Sequence, residues 1–93
     1  MAHYIVAFDV MGGAPAVDTV TKRIQALGAE TAHQLLNTVW YLKTDKSCET
    51  IYEHVNTALE AKDRVLVVEA STANFRDLLT SAATLRHDWK DVA

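Results

Sequence analysis

The chain is poor in cysteine, proline and glycine, with one, one and three residues respectively among 93. The single cysteine, Cys48, excludes an intramolecular disulfide and leaves no Cys-x-x-Cys zinc pattern. No apolar stretch approaches the ~18 residues of a membrane span, and no basic segment leads into a signal-like apolar run. No segment has the composition of a linker or a low-complexity region. These absences predict one cytoplasmic globular domain over residues 1–93, without a membrane segment.

Basic residues are also scarce. Nine Lys and Arg stand against twelve Asp and Glu, for a net charge of −3. Because nucleic-acid binding rests mainly on basic side chains that neutralise phosphates, this balance disfavours a general nucleic-acid coat. Such a role would need a local basic patch, a bound cation or a partner that supplies the charge. Hydrophobic residues make up 49% of the chain and charged residues 23%, which is typical of a globular protein and argues against disorder.

Hydrophobic patterning predicts alternating strands and helices. Four apolar runs have the character of strands, at residues 3–9, 31–36, 38–43 and 65–68. Three segments place apolar residues at helical spacing: 16–27, a second segment capped by Ser47, and 71–85. Strand–helix–strand twice over is the split βαβ arrangement of a ferredoxin-like α+β domain, βαββαβ. Its core would span residues 3–69, with a C-terminal helix or tail over 71–93, in which residues 71–85 have helical spacing and residues 86–93 have the character of a tail.

Both helices of this fold pack on one face of the sheet, so the other face needs a cover. The first strand is apolar on both sides, because His3, Ile5 and Ala7 alternate with Tyr4, Val6 and Phe8. A second copy of the chain is the predicted cover, and the C-terminal helix is the competing one. Trp40 and Tyr41 point to opposite faces, so one joins the core and the other anchors the dimer. The predicted dimer interface contains Ile5, Ala7, Trp40 and Val67.

The most hydrophobic predicted strand ends with an acidic residue, Asp9. Strands one and three are expected to lie parallel in the centre, so that one rim of the sheet collects Asp9, Lys43, Thr44, Asp45, Asp63 and Arg64. Carboxylates gathered there would suit Mg²⁺, which prefers oxygen ligands and polarises phosphodiesters. The alternative is structural: Asp9 accepts N–H bonds of the following loop, and Asp63 does the same after the second helix.

The four histidines lie on different elements and lack metal-ligand spacing. His33, on the second strand, is a conceivable general base. The favoured interpretation is a surface or interface histidine.

Three stretches, "YIVAFDV", "RIQALGAETAHQLLNTVWYLKT" and "DRVLVVEA", resemble the small CRISPR-associated endoribonuclease family whose dimers accompany the spacer integrase. They resemble its SinR-like relatives more closely still. The resemblance covers about residues 3–69, and its specific features are Phe8-Asp9, Thr38-Val39-Trp40 and the acidic turn at Asp63.

The resemblance implies a ferredoxin-like homodimer in which the first-strand aspartates of two subunits approach each other and support metal-dependent nuclease activity. Only Asp9 matches that role. The chain departs from the family in two respects: residues 71–85 have the pattern of a helix where the family commonly has a fifth strand, and the chain is not basic.

Two functions are therefore expected. The first is a homodimeric endonuclease that cleaves RNA or DNA with Mg²⁺ or Mn²⁺ at paired Asp9 residues, with Asp63 as a second candidate ligand. The alternative is a non-catalytic dimeric adaptor or structural protein of the same fold. Expected partners are a second copy and a nucleic acid or a nucleic-acid-processing protein.

Overall fold

The structure, a computed structural model, describes residues 1–89. Its elements are, in chain order, β1 (Ala2–Asp9), α1 (Gly13–Gln25), β2 (Thr31–Leu36), β3 (Val39–Thr44), α2 (Cys48–Asn56), β4 (Arg64–Glu69) and α3 (Ala82–Asp88). The four strands form one sheet in the order β2-β3-β1-β4. This is the predicted ferredoxin-like α+β fold, with an additional C-terminal helix.

The direction of the central strands differs from the prediction. β1 and β3 are antiparallel, as are the pairs β1–β4 and β2–β3. The reason is the short connection between β2 and β3, which makes a hairpin and therefore reverses β3. In the split βαβ unit the parallel pair is β1 and β2, and β3 is inserted between them. The expectation of parallel strands one and three was wrong.

Local signals explain where the helices begin. Ser47 caps α2 as predicted, since its Oγ accepts a hydrogen bond of 3.1 Å from the Thr50 N–H. Gly13 begins α1 with φ = 68°, a left-handed conformation that favours glycine. The two helices are joined to each other by Arg23, whose Nε donates to the His54 carbonyl at 3.0 Å, and by the His54 ring, which bonds the Arg23 carbonyl at 2.7 Å.

The main core lies between the sheet and α1 and α2. Its sheet side is formed by the even-numbered residues of β1 together with Trp40 and Leu42 of β3, and its helix side includes Val20, Ile24, Ile51 and Val55. The predicted alternation of β1 is confirmed, because Tyr4, Val6 and Phe8 are buried here.

The C-terminal strap, which we define as residues 70–89, covers part of the opposite face of the same sheet. Leu85 and Trp89 are buried against Leu35 and Tyr41, and Ile5 packs against this second cluster. The strap is also hydrogen-bonded to β2: the Leu79 N–H donates to the Leu35 carbonyl at 2.9 Å, and Thr80 Oγ1 donates to the Gln34 carbonyl at 2.6 Å. The competing cover, the C-terminal segment, thus lies on this face within a single chain.

The predicted helix over 71–85 is wrong in its extent. Only Ala82–Asp88 is helical, with Ser81 as its cap, and Asp77 has φ = 52°. Before residue 82, the Leu79 backbone N–H bonds the Leu35 carbonyl of β2, and a helix would have used that N–H internally. The predicted tail also begins too early, because Trp89 is fully buried. Residues 90–93 lie outside the described part of the chain.

Within residues 1–89, no helix is long and apolar enough to cross a membrane.

Candidate functional site

Asp9 stands exposed at the end of β1, directly opposite Arg64 at the start of β4. It borders a shallow surface depression of about 230 Å³. The depression is lined by Ala7, Phe8, Asp9, Arg64, Val65 and Leu66. The carboxylate of Asp9 is therefore accessible to a solute, with a guanidinium group on the neighbouring strand.

The predicted rim of polar residues is split between two ends of the sheet. Because β1 and β3 are antiparallel, the end of β1 meets the start of β3, where the Phe8 N–H donates to the Thr38 carbonyl at 3.0 Å. Lys43 and Thr44 instead lie opposite His3 and Ala2 at the start of β1, and Asp45 follows them. Only Asp63 and Arg64 of the predicted set are at the same end as Asp9. Grouping all six was wrong, because it assumed parallel central strands.

Asp63 ties two loops together. Its Oδ1 accepts a hydrogen bond of 3.0 Å from the Met11 N–H, in the loop that follows Asp9. Its Oδ2 accepts one of 2.8 Å from the Glu60 N–H, in the turn after α2. Both oxygens of this candidate metal ligand thus serve the backbone, which corresponds to the structural alternative. Among residues 1–89, no three His, Cys, Asp or Glu side chains are grouped so as to hold a metal ion.

The predicted dimer-interface residues do not share one face. Trp40 is 5% exposed and belongs to the core beneath the helices, and Val67 packs against the same core. Ile5 contacts the cluster beneath the C-terminal strap, while Ala7 borders the depression beside Asp9. Tyr41, not Trp40, faces the side opposite the helices. Trp40 and Val67 therefore have to be removed from the predicted face-to-face interface.

A cluster of aromatic and titratable side chains fastens the strap to the sheet. Trp89 stacks on Tyr41 with ring centroids 5.1 Å apart and on His3 at 5.3 Å. Tyr41 Oη and His3 Nδ1 share a hydrogen bond of 2.8 Å, and His33 Nε2 lies 2.6 Å from Asp88 Oδ2. Burial, followed by the negative charges of Asp88 and Glu30, raises the pKa of Tyr41.

This cluster was missed from the sequence. Its signal was the strand alternation, which places His3, His33 and Tyr41 on one face of the sheet. The contact with Asp88 had no local signal, because that residue is 55 positions away from His33. His33, for which a surface or interface position was the favoured prediction, is partly buried on β2, where its Nε2 pairs with Asp88 of the strap.

No protein-family model matches this chain, and no curated protein matches it either. The class is therefore defined by the architecture: a ferredoxin-like α+β protein. In addition to the ferredoxin-like core, this chain has a strap over part of its second sheet face and an exposed aspartate at the end of β1.

Proposed function

We propose that the protein is a non-catalytic dimeric adaptor of the ferredoxin-like fold, which acts by holding macromolecules together. The observation that carries the proposal is the display of apolar side chains around β4. Leu66 is 59% exposed and Val68 is 38% exposed on the sheet face, and Tyr52 is 44% exposed on the adjacent α2. Large apolar side chains exposed on both sides of one sheet edge favour a protein contact site there.

The hydrogen bonds that Asp63 accepts support the same proposal. Both of its oxygens hold loop N–H groups, so a metal ion would compete with two hydrogen bonds that connect the loops. Asp63, the second candidate metal ligand after Asp9, thus has a structural role in holding the two loops.

The second candidate is a divalent-metal-dependent endonuclease, favoured by the exposure of Asp9 beside a depression that also contains Arg64. The resemblance of Phe8-Asp9 to the CRISPR-associated endoribonucleases points to the same residue. Here Asp9 would hold Mg²⁺ or Mn²⁺, whose chemistry is to polarise a phosphodiester and acidify a water. Arg64 would contribute a planar donor for a phosphate group. One carboxylate per chain is few for such a site, so this candidate depends on a second Asp9 or on ligands from the substrate.

A cleavage assay separates the two candidates. Single- and double-stranded RNA and DNA are incubated with the wild type, Asp9→Asn and the control Asp18→Asn, in Mg²⁺ and in Mn²⁺. Asp18 is a suitable control because it is an exposed acid on α1, paired with Lys22 at 2.9 Å. The adaptor proposal expects no cleavage that depends on Asp9. Cleavage that is lost in Asp9→Asn and kept in Asp18→Asn would replace it with the nuclease.

A further inference from the structure

The outer side of β4 forms one edge of the sheet. Ala70 N–H donates to the His3 carbonyl at 2.9 Å, which makes His3 and Ala70 a hydrogen-bonded pair. Antiparallel pairing alternates, so the backbones of residues 64, 66 and 68 also point toward β1, and those of Val65, Val67 and Glu69 point outward. Within residues 1–89, β4 is the last strand on this side of the sheet. Cys48 Sγ donates to the Val67 carbonyl at 3.3 Å, which leaves that oxygen a second lone pair.

The opposite edge of the sheet is protected. Leu79 and Thr80 of the strap bond the carbonyls of Leu35 and Gln34 on β2, where the pairing with β3 is irregular. Within residues 1–89, the strap thus bonds the end of the β2 edge, whereas β4 forms the other edge of the sheet without an added strand. Exposed edges invite pairing with another strand.

Exposed apolar side chains flank the free edge above and below the sheet. Leu66 and Val68 lie on the face that carries the strap, since they pair with Ala7 and Ile5. Tyr52 lies on the helix side, one turn after Cys48 and therefore on the same stripe of α2 that contacts Val67. An occupant must supply a strand for the edge and apolar groups for both faces.

A second copy of this surface supplies all three. An antiparallel pair of β4 strands about a two-fold axis perpendicular to the sheet keeps the helices of both copies on one side. With Val67 opposite the partner's Val67, Val65 faces the partner's Glu69, and all three outward residues form hydrogen-bonded pairs. Leu66 then lies opposite the partner's Val68. Shifting the register to place Val65 opposite the partner's Val67 would bring Asp63 opposite the partner's Glu69, two like charges.

We propose that two copies of the chain join edge to edge through β4, centred on Val67, to form one continuous sheet. The proposal rests on the dimeric adaptor above and names its interface. It also separates the two Asp9 residues: three strand spacings across and six residues along the sheet amount to roughly 25 Å. Two carboxylates at that distance cannot share one metal ion, since each must lie within ~2 Å of it.

Sizing by light scattering tests the interface with matched variants. The wild type is expected at twice the 10.3 kDa chain mass. Leu66→Lys places a charge against the partner's Val68 and is expected to give the monomer mass at the same concentration. Leu79→Lys is the control, because Leu79 is 65% exposed on the strap, which covers the other half of the sheet. It should stay dimeric.

Cross-linking tests the register. In a Cys48→Ser background, Val67→Cys places two thiols across the axis, where paired Cα atoms lie about 5.5 Å apart, within disulfide range. Removing Cys48 is necessary because it touches Val67. Oxidation should give a covalent dimer with Val67→Cys and none with the control Leu79→Cys.

The outcomes separate the inference from the function. A dimer that survives Leu66→Lys and forms no disulfide at residue 67 would refute the β4 interface and leave the dimeric adaptor standing. A monomeric wild type would overturn the second copy as occupant, and the dimeric part of the adaptor with it. The cleavage assay, by contrast, tests catalysis alone.

Discussion

Replacing Trp89 should reveal how strongly the strap is attached. Trp89 is fully buried, stacks on Tyr41 and His3, and donates its indole N–H to the Ser71 carbonyl at 2.9 Å. Removing a buried aromatic side chain typically destabilises a protein by about 3–5 kcal/mol. Because the total stability of a small domain is about 5–15 kcal/mol, Trp89→Ala is expected to lose a large share of it.

The measurement is the free energy of unfolding from urea denaturation. Trp89→Phe is a milder companion, since it retains an aromatic ring but leaves the Ser71 carbonyl without its donor, for an expected cost of roughly 1–3 kcal/mol. Leu79→Ala is the matched control on the same strap; as its side chain is 65% exposed, a change within about 0.5 kcal/mol is expected. If Trp89→Ala cost no more than Leu79→Ala, the packing of the strap on the sheet would be refuted.

Two further predictions concern Asp63 and the buried tyrosines. Asp63→Ala should reduce the free energy of unfolding by about 1–3 kcal/mol, because the Met11 and Glu60 N–H groups lose their acceptor, whereas Asp9→Ala should change it by less than about 0.5 kcal/mol. Equal losses in urea denaturation would contradict the loop role of Asp63. Burial is the main cause that raises the pKa of Tyr4 and of Tyr41, so both keep their protons in the folded protein when the unfolded chain releases them. Their contribution is intact below pH ~10, and stability should fall above it by up to about 1.4 kcal/mol per pH unit per tyrosine. Tyr41→Phe should show a shallower loss in urea denaturation at alkaline pH, and an unchanged slope would contradict the burial of this phenol.

Much of the fold follows from local patterns. The alternation of β1 correctly separated Tyr4, Val6 and Phe8 from His3, Ile5 and Ala7, because side chains of a strand alternate between its faces. Ser47 was recognised as a cap because its hydroxyl satisfies an N–H three residues away. These interactions connect residues that are near in sequence, so their signals are readable without a structure.

The candidate site was only partly predictable. Asp9 was placed correctly at a strand end, and the alternative role of Asp63 in a turn could be stated from its neighbours alone. The grouping of Asp9 with Lys43 failed, since it depended on the direction of β3. Trp40 and Tyr41 were correctly assigned to opposite faces, but Trp40 was wrongly placed in the dimer interface, since Trp40 meets the helices and Tyr41 lies on the other face.

The sequence by itself determined the order of the strands and helices and the two-sided apolar character of the sheet. Tertiary structure alone decided which segment covers part of the second face, because contacts such as Trp89 with Tyr41 and Asp88 with His33 join residues that are distant in the chain. An apolar pattern states that a surface must be buried, and many partners satisfy that requirement. Which partner buries the surface depends on the folded structure, because shape complementarity and hydrogen bonds across a contact depend on both segments that form it.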